Sequence, residues 1–201
     1  MATQDTRSRI LKAAFEQFYR NGFQGGSLKQ IVEEAGITKG ALFHYFDGKN
    51  DLGYAVVEEM ILPQVKAAWF DPMAESVDPV ADLKRIFEQF MKHVMENGRL
   101  MQGCPLNNLA QEMSPLDEGF RKRIEKVYAM WRECIADAFE RGIKAGNVRK
   151  DVISGNVGMF IVAALAGIIG TAKNSQSEEM VKQAGEAFFG YLDSLRSQEP
   201  A

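Results

Sequence analysis

The stretch Ser27–Lys49, SLKQIVEEAGITKGALFHYFDGK, reads as two short helices joined by a tight turn. Ser27 and Gln30 stand at capping-box spacing, where each side chain satisfies a backbone donor at the helix start. Leu28, Ile31, Val32 and Ala35 then recur at i, i+3, i+4 and i+7, which is one apolar helix face. Gly36 supplies the positive φ that ends this helix, Ile37 plugs the corner and Thr38 caps the next one. In the second helix Leu42 and Phe46 share the inward face, leaving Lys39, Gly40, Phe43 and His44 outward. A cation, a glycine and two rings at an exposed helix N-terminus suit a surface that enters the major groove of duplex DNA. The glycine lets the backbone approach, and the others reach base edges and phosphates. Helix–turn–helix pairs also serve proteins that never touch nucleic acid, so a protein-interaction module stands as the alternative from another class.

Composition narrows the choice. The chain has 201 residues and a formal net charge of −3, so it is no generic polyanion binder. In the N-terminal segment Arg7, Arg9, Lys12, Arg20, Lys29, Lys39 and Lys49 oppose six carboxylates, and DNA affinity has to come from placed cations. Cys104 and Cys134 are the only cysteines, which fits a reducing cytoplasm better than a disulfide scaffold. The first residues, MATQDTRSRILKAAFEQF, lack the apolar core of a signal peptide. The run Val157–Gly170 is apolar but shorter than the ~18–20 residues of a membrane span, so it reads as a buried or interface helix. Two histidines and two cysteines at 44, 93, 104 and 134 have no zinc-finger spacing, and no nucleophile elbow, Walker loop or dinucleotide fingerprint occurs. Neither an enzyme, a metal site nor a cofactor is expected.

The remainder reads as helix throughout, giving an all-α chain of nine helices. Arg7–Arg20 carries the stripe Ile10, Leu11, Ala14, Phe15 and Phe18. A long helix runs from Lys49 to about Ala68, with a kink expected at Pro63. Asp71-Pro72 and Asp78-Pro79 bracket a loop, and further helices follow from Pro79, around Leu106–Met113, and over Glu118–Ala145, Ser154–Lys173 and Glu178–Arg196. The C-terminal SQEPA reads as a frayed end. Two regions result, residues 1–50 and 51–201, with the boundary inside a helix.

The first of these resembles the TetR family of transcriptional regulators. Its pattern stands here as Ala35-Gly36-Ile37-Thr38-Lys39-Gly40-Ala41-Leu42-Phe43-His44-Tyr45-Phe46-Asp47-Gly48-Lys49, preceded by Ile10, Leu11, Ala14, Phe15, Phe18 and the Asn21-Gly22-Phe23 exit. Phe43 departs from the tyrosine usual in the family, which removes a hydroxyl but leaves stacking or contact with a thymine methyl. The resemblance implies a dimeric repressor on a pseudo-palindromic operator, released by a small-molecule effector. Carried over residue by residue, Lys29, Lys39, Gly40 and Phe43 are expected at base edges, and Ser27, Thr38, His44, Tyr45 and Lys49 at phosphates. It also implies that the last two helices form a four-helix homodimer seam. The small residues of the first of them, among them Gly158, Ala163 and Gly167, support that assignment.

An apolar or aromatic effector is expected in the second region, lined by Trp69, Phe87, Phe90, His93, Cys104, Leu106, Leu109, Met113 and Trp131, with Met101 as a further candidate. Each of these side chains also fits ordinary core packing. Cys104, just ahead of a short helix, is either a redox or electrophile sensor or a small packing residue at a turn.

Overall fold

The computed structural model describes residues 2–99 and 102–197. Among them nine helices run in order: Ala2–Gly25 (α1), Leu28–Ala35 (α2), Lys39–Tyr45 (α3), 49–73 (α4), Pro79–Glu96 (α5), Pro105–Met113 (α6), Glu118–Lys144 (α7), Ser154–Ser175 (α8) and Glu178–Ser194 (α9). The all-α expectation is met, and an isolated bridge between Val148 and Arg196 is the extent of β pairing in the described residues. Met101 and the residues after Ser197 lie outside the description. The chain forms two compact units: residues up to Gln64 with Pro105–Lys126, and Val65–Cys104 with the chain from Val127 onward.

In the first unit α1 buries Ile10, Leu11, Ala14, Phe15 and Phe18. It extends past Arg20 but breaks at Gly22, whose φ of 75° is open to glycine and strained for other residues. The break leaves the amides of Phe23 and Gln24 without helical acceptors. Glu112 of α6 takes both, one on each carboxylate oxygen, at 2.8 Å apiece. On the other side Lys49 donates to the Gln24 carbonyl at 3.0 Å and lies 5.0 Å from the Phe23 ring centre. Burial pushes the Lys49 ammonium pKa down, with the Glu112 charge acting against it.

Asp117 plays a similar part at the start of α7. It accepts from the Phe120 amide at 2.8 Å, from the Tyr54 hydroxyl at 2.8 Å and from the Asn50 amide at 3.2 Å. Its carboxyl is held below the ordinary carboxylate range, chiefly by the Phe120 N–H and then by Tyr54. Phe120 is wholly buried, with the rings of Phe23 and Tyr54 at 4.6 and 5.0 Å.

The kink expected at Pro63 takes the form of a widened turn. Leu62 N–H donates five residues back to Val57 O, and Asp71 N–H does the same to Lys66 O. Each of these wide turns immediately precedes a proline, Pro63 or Pro72. Proline in a regular α-helix clashes with the carbonyl four residues back, and a π-type turn relieves that crowding. Pro72 therefore lies inside α4, and the loop expected to begin at Asp71-Pro72 begins after Met73 instead.

In the second unit Asp78 caps α5 by accepting from Ala81 N at 3.0 Å, with Pro79 at the first helical position. Arg141 of α7 donates to the carbonyls of Ser76 and Met73 at 2.9 and 2.8 Å and fixes the loop between α4 and α5. Helix α8 has 22 residues, because polar turns at both ends extend the apolar run, and by length and composition it could cross a membrane. Only 39% of its most apolar window is buried, the inward stripe being Val157, Ile161, Leu165 and Ile169.

Glu112→Ala leaves the two amides after Gly22 without their acceptor. Urea unfolding should show a loss of about 1–2 kcal/mol, since hydrogen bonds to a charged acceptor are among the stronger ones. A loss within ~0.3 kcal/mol of zero would contradict this account of the break.

Candidate nucleic-acid interface

The local chemistry of residues 27–46 builds a rigid corner. The Ser27 hydroxyl accepts from Gln30 N at 3.4 Å, and Thr38 Oγ1 accepts from Ala41 N at 3.1 Å. Gly36 adopts φ 60°, and its N–H together with that of Ile37 returns to the carbonyls of Glu33 and Val32 at 3.1 Å. Arg9 of α1 donates to the carbonyls of Ala35 and Gly36, closing the end of α2 from outside. Gln17, buried on α1, donates to Glu34 of α2. Leu42 and Phe46 are buried as the pattern requires.

What remains outward on α3 is Lys39, Gly40, Phe43 and His44, all exposed. Phe43 is 44% exposed, and Lys39 Nζ lies 5.8 Å from its ring centre. Between α2 and α3 an apolar recess of about 430 Å³ is bordered by Leu28, Val32, Leu42 and Phe43, with Lys29 and Lys39 as its charged neighbours. Both charges are positive, which suits a polyanion edged by thymine methyls. The His44 ring stands edge-on to Tyr45 at 5.1 Å, and Tyr45 is half-buried.

Gly40 is informative because nothing in the fold asks for it. A Cβ there would meet only Thr38 Oγ1, at 4.0 Å, and its φ lies outside the range that favours glycine. Glycine inside a helix is costly relative to alanine, and no crowding among the described residues accounts for it here.

The basic residues of the head divide into two groups. Arg7 is paired with Glu59 and lies 5.1 Å from the Phe46 ring centre, and Arg9 caps α2. Arg20 stands 3.8 Å from Glu34, and Lys49 is bound to Gln24 O. Lys29 is highly exposed and only loosely paired with Glu33 at 3.9 Å. Lys39 has no ion pair among the described residues and projects from the outward face of α3. Lys49 therefore has a structural partner besides any phosphate it meets. Arg9, Gln17 and Glu112 were not singled out from the sequence. Their partners lie 17 to 89 residues away, and no local pattern announces them.

The expected effector-pocket residues divide between the two units. Trp69, Phe90 and Trp131 form one aromatic cluster, with Trp69 5.3 Å from Phe90 and 5.0 Å from Trp131. The buried indole nitrogen of Trp131 has no hydrogen-bond partner among the described residues. Phe87 packs instead with Phe188 and Phe189, each at 5.6 Å. His93 is exposed near Asn97. Leu106, Leu109 and Met113 are buried within the first unit, where Leu109 borders a small void with Phe15, Phe18, Tyr19 and Val56. Cys104 is half-buried immediately before α6, and neither cysteine is in a disulfide. Burial pushes the Cys134 thiol pKa up, with its Sγ 3.7 Å from Phe70 O. Gly158 is buried, and a Cβ there would stand 2.6 Å from the Arg132 carbonyl, so it serves the chain's own α7–α8 contact. Ala163 and Gly167 lie on the exposed face of α8.

Residues 10–56 match the family described as bacterial regulatory proteins, tetR family, and residues 79–188 match the tetracyclin repressor-like C-terminal domain. The chain belongs to the TetR family. A regulator of Lactococcus lactis, described as an uncharacterized HTH-type transcriptional regulator in the lacX 3′ region, is 30% identical over 67% of this chain and 68% of its own. The HTH-type transcriptional repressor DhaR of Mycobacterium sp. (strain GP1) is 24% identical over 91% of this chain and 90% of its own. In fold, a TetR transcriptional regulator of Chloroflexus aurantiacus matches with a TM-score of 0.85 at 24% identity, covering 97% of this chain and 98% of that one. As a member of the TetR family the protein is a DNA-binding transcriptional regulator rather than an enzyme.

Gly40→Ala separates folding from recognition. Thermal or urea unfolding should show a gain of about 0.5–1 kcal/mol, and affinity for the preferred duplex should fall roughly tenfold or more. Unchanged affinity in a stabilised protein would show that α3 does not approach DNA through this glycine.

Proposed function

We propose that this TetR-family protein is a dimeric repressor that occupies a pseudo-palindromic operator and leaves it when a small apolar or aromatic molecule binds its C-terminal region. The outward face of α3 carries this reading, because a lone cation, an exposed ring and a glycine the fold does not need lie together there. In this reading Lys29, Lys39, Gly40 and Phe43 meet base edges, while Ser27, Thr38, His44, Tyr45 and Lys49 meet phosphates. The name of DhaR, a repressor similar over nine-tenths of the chain, favours repression over activation. Such a protein works with the DNA, in the cytoplasm.

Dimerisation is supported by the outer face of α8. Met159 and Phe160 are 55% and 50% exposed there, beside Ala163 and Gly167. A large apolar side chain left in water forfeits burial free energy, and small neighbours let a second helix approach closely. We assign this face to a second copy of the chain rather than to lipid. Two copies related by a two-fold axis would present two α3 helices to successive major grooves.

The effector reading draws on the cluster of Trp69, Phe90 and Trp131. A buried indole N–H without an acceptor is costly, and an aromatic molecule carrying a carbonyl or similar acceptor would satisfy it. Such a molecule releases DNA only if it binds one head separation better than the other; tight binding to both shifts nothing.

Gly167→Arg tests the dimeric reading. No atom lies within 4 Å of the Cβ position, so the side chain fits the single chain and obstructs only a second one. Light scattering should show a monomer with unchanged helix content, and operator affinity should drop by roughly 10²-fold or more as one half-site is lost. A persistent dimer would move the seam elsewhere. A monomer with full operator affinity would refute the two-headed arrangement.

A further inference from the structure

A groove lies between α5 and α9. Phe87, Met91 and Met95, at four-residue spacing on α5, and Val181 and Phe189 on α9 line this open groove, whose volume is about 720 Å³. Gly185 holds the space open: a Cβ there would already stand 3.2 Å from Phe87. Phe87, Met91 and Val181 are buried and form the floor, whereas Met95 is 45% exposed at one end. A volume of this size is that of a small-molecule site, and methionines let the walls adapt.

The rim decides the sign of the occupant. Glu88, Glu96, Glu178, Glu179 and Glu186 face only Lys92 and Lys182 there, an excess of three negative charges around an apolar floor. Lys92 is already near Glu96, at 3.9 Å. Glu178 and Glu179 also complement the start of α9, but Glu88 and Glu186 have no ion-pair partner among the described residues. The ring of Phe189 lies 5.5 Å from the Lys84 ammonium, a cation–π contact made within the chain. Nucleic acid and anionic lipid are disfavoured by charge. A second copy docked symmetrically here would set one acidic rim against another.

We propose that this groove binds a lipophilic cation, an amine or quaternary ammonium carried on an apolar body. Binding itself is independent of the repressor reading; only a consequence for operator release rests on it. The probes are octyltrimethylammonium, octanol and octyl sulfate, titrated calorimetrically into the full-length wild-type protein without DNA. The cation should bind about tenfold tighter than the alcohol, and the sulfate weakest. Met95 is exposed, so charge can be placed there without disturbing the core. Met95→Glu should tighten and Met95→Lys should weaken octyltrimethylammonium by about fivefold each, with octanol unaffected. Glu88→Gln combined with Glu186→Gln should weaken the cation alone. Equal affinity for the three probes, no binding of the cation, or Met95 variants that move it in the same direction would overturn the proposal. So would a change of oligomeric state in the Met95 variants, which would assign the groove to a second copy. Operator affinity measured without any probe reports on the repressor reading separately.

Discussion

The break in α1 at Gly22 is the constraint around which the first unit is arranged. A helix interrupted there leaves two backbone amides without helical acceptors, and that of Phe23, partly buried, has to find another. Glu112 meets both, although it lies on α6 and almost ninety residues away in sequence. Lys49, at the start of α4, closes the opposite side by binding the Gln24 carbonyl. Three helices thus converge on one turn, and α2 follows directly from it. Glycine at 22 is required twice over, by its φ and by the carboxylate that occupies the space of a side chain. This is how α6 comes to belong with the residues that carry the recognition helix.

The same economy governs the charges of the head. Guanidinium groups suit bidentate and carbonyl contacts, and Arg7 and Arg9 are used for them inside the unit. Lys29 and Lys39, with compact and well-hydrated heads, are left on the exposed surface, whereas Lys49 is turned to the Gln24 carbonyl. DNA affinity in this protein would thus rest on few cations with defined positions, as a chain of net charge −3 requires. Phe43, lacking a hydroxyl, offers an exposed apolar ring on the same face as Lys39.

The helix–turn–helix was legible because its determinants are local. Caps at Ser27 and Thr38, the left-handed Gly36 and the inward pair Leu42 and Phe46 each act within a few residues, and all are found as expected. Amphipathic stripes also marked the nine helices. They could not say against what each stripe packs: Leu106, Leu109 and Met113 are buried as their spacing demands, and Leu109 meets Phe15, Phe18, Tyr19 and Val56 of the first unit. Gly158 and Gly167 look alike in sequence but face opposite ways, one onto the Arg132 carbonyl and the other to solvent. Pro72 read as a loop marker, and a wide turn upstream lets it remain helical. Glu112 had no signature, since a carboxylate on a helix face looks the same whether it meets water or a distant amide.

The central claim is that two copies of the α3 face read one symmetric DNA site. Selection of duplexes from a random library by the purified full-length protein, followed by sequencing, tests it most directly. The account predicts an enriched motif of two inverted half-sites, with centres about one helical turn or a multiple of it apart, roughly 34–36 Å per turn. Lys39→Ala should relax preference within each half-site while leaving their spacing unchanged. Enrichment of a single unsymmetric element, or no enrichment over the starting library, would contradict it.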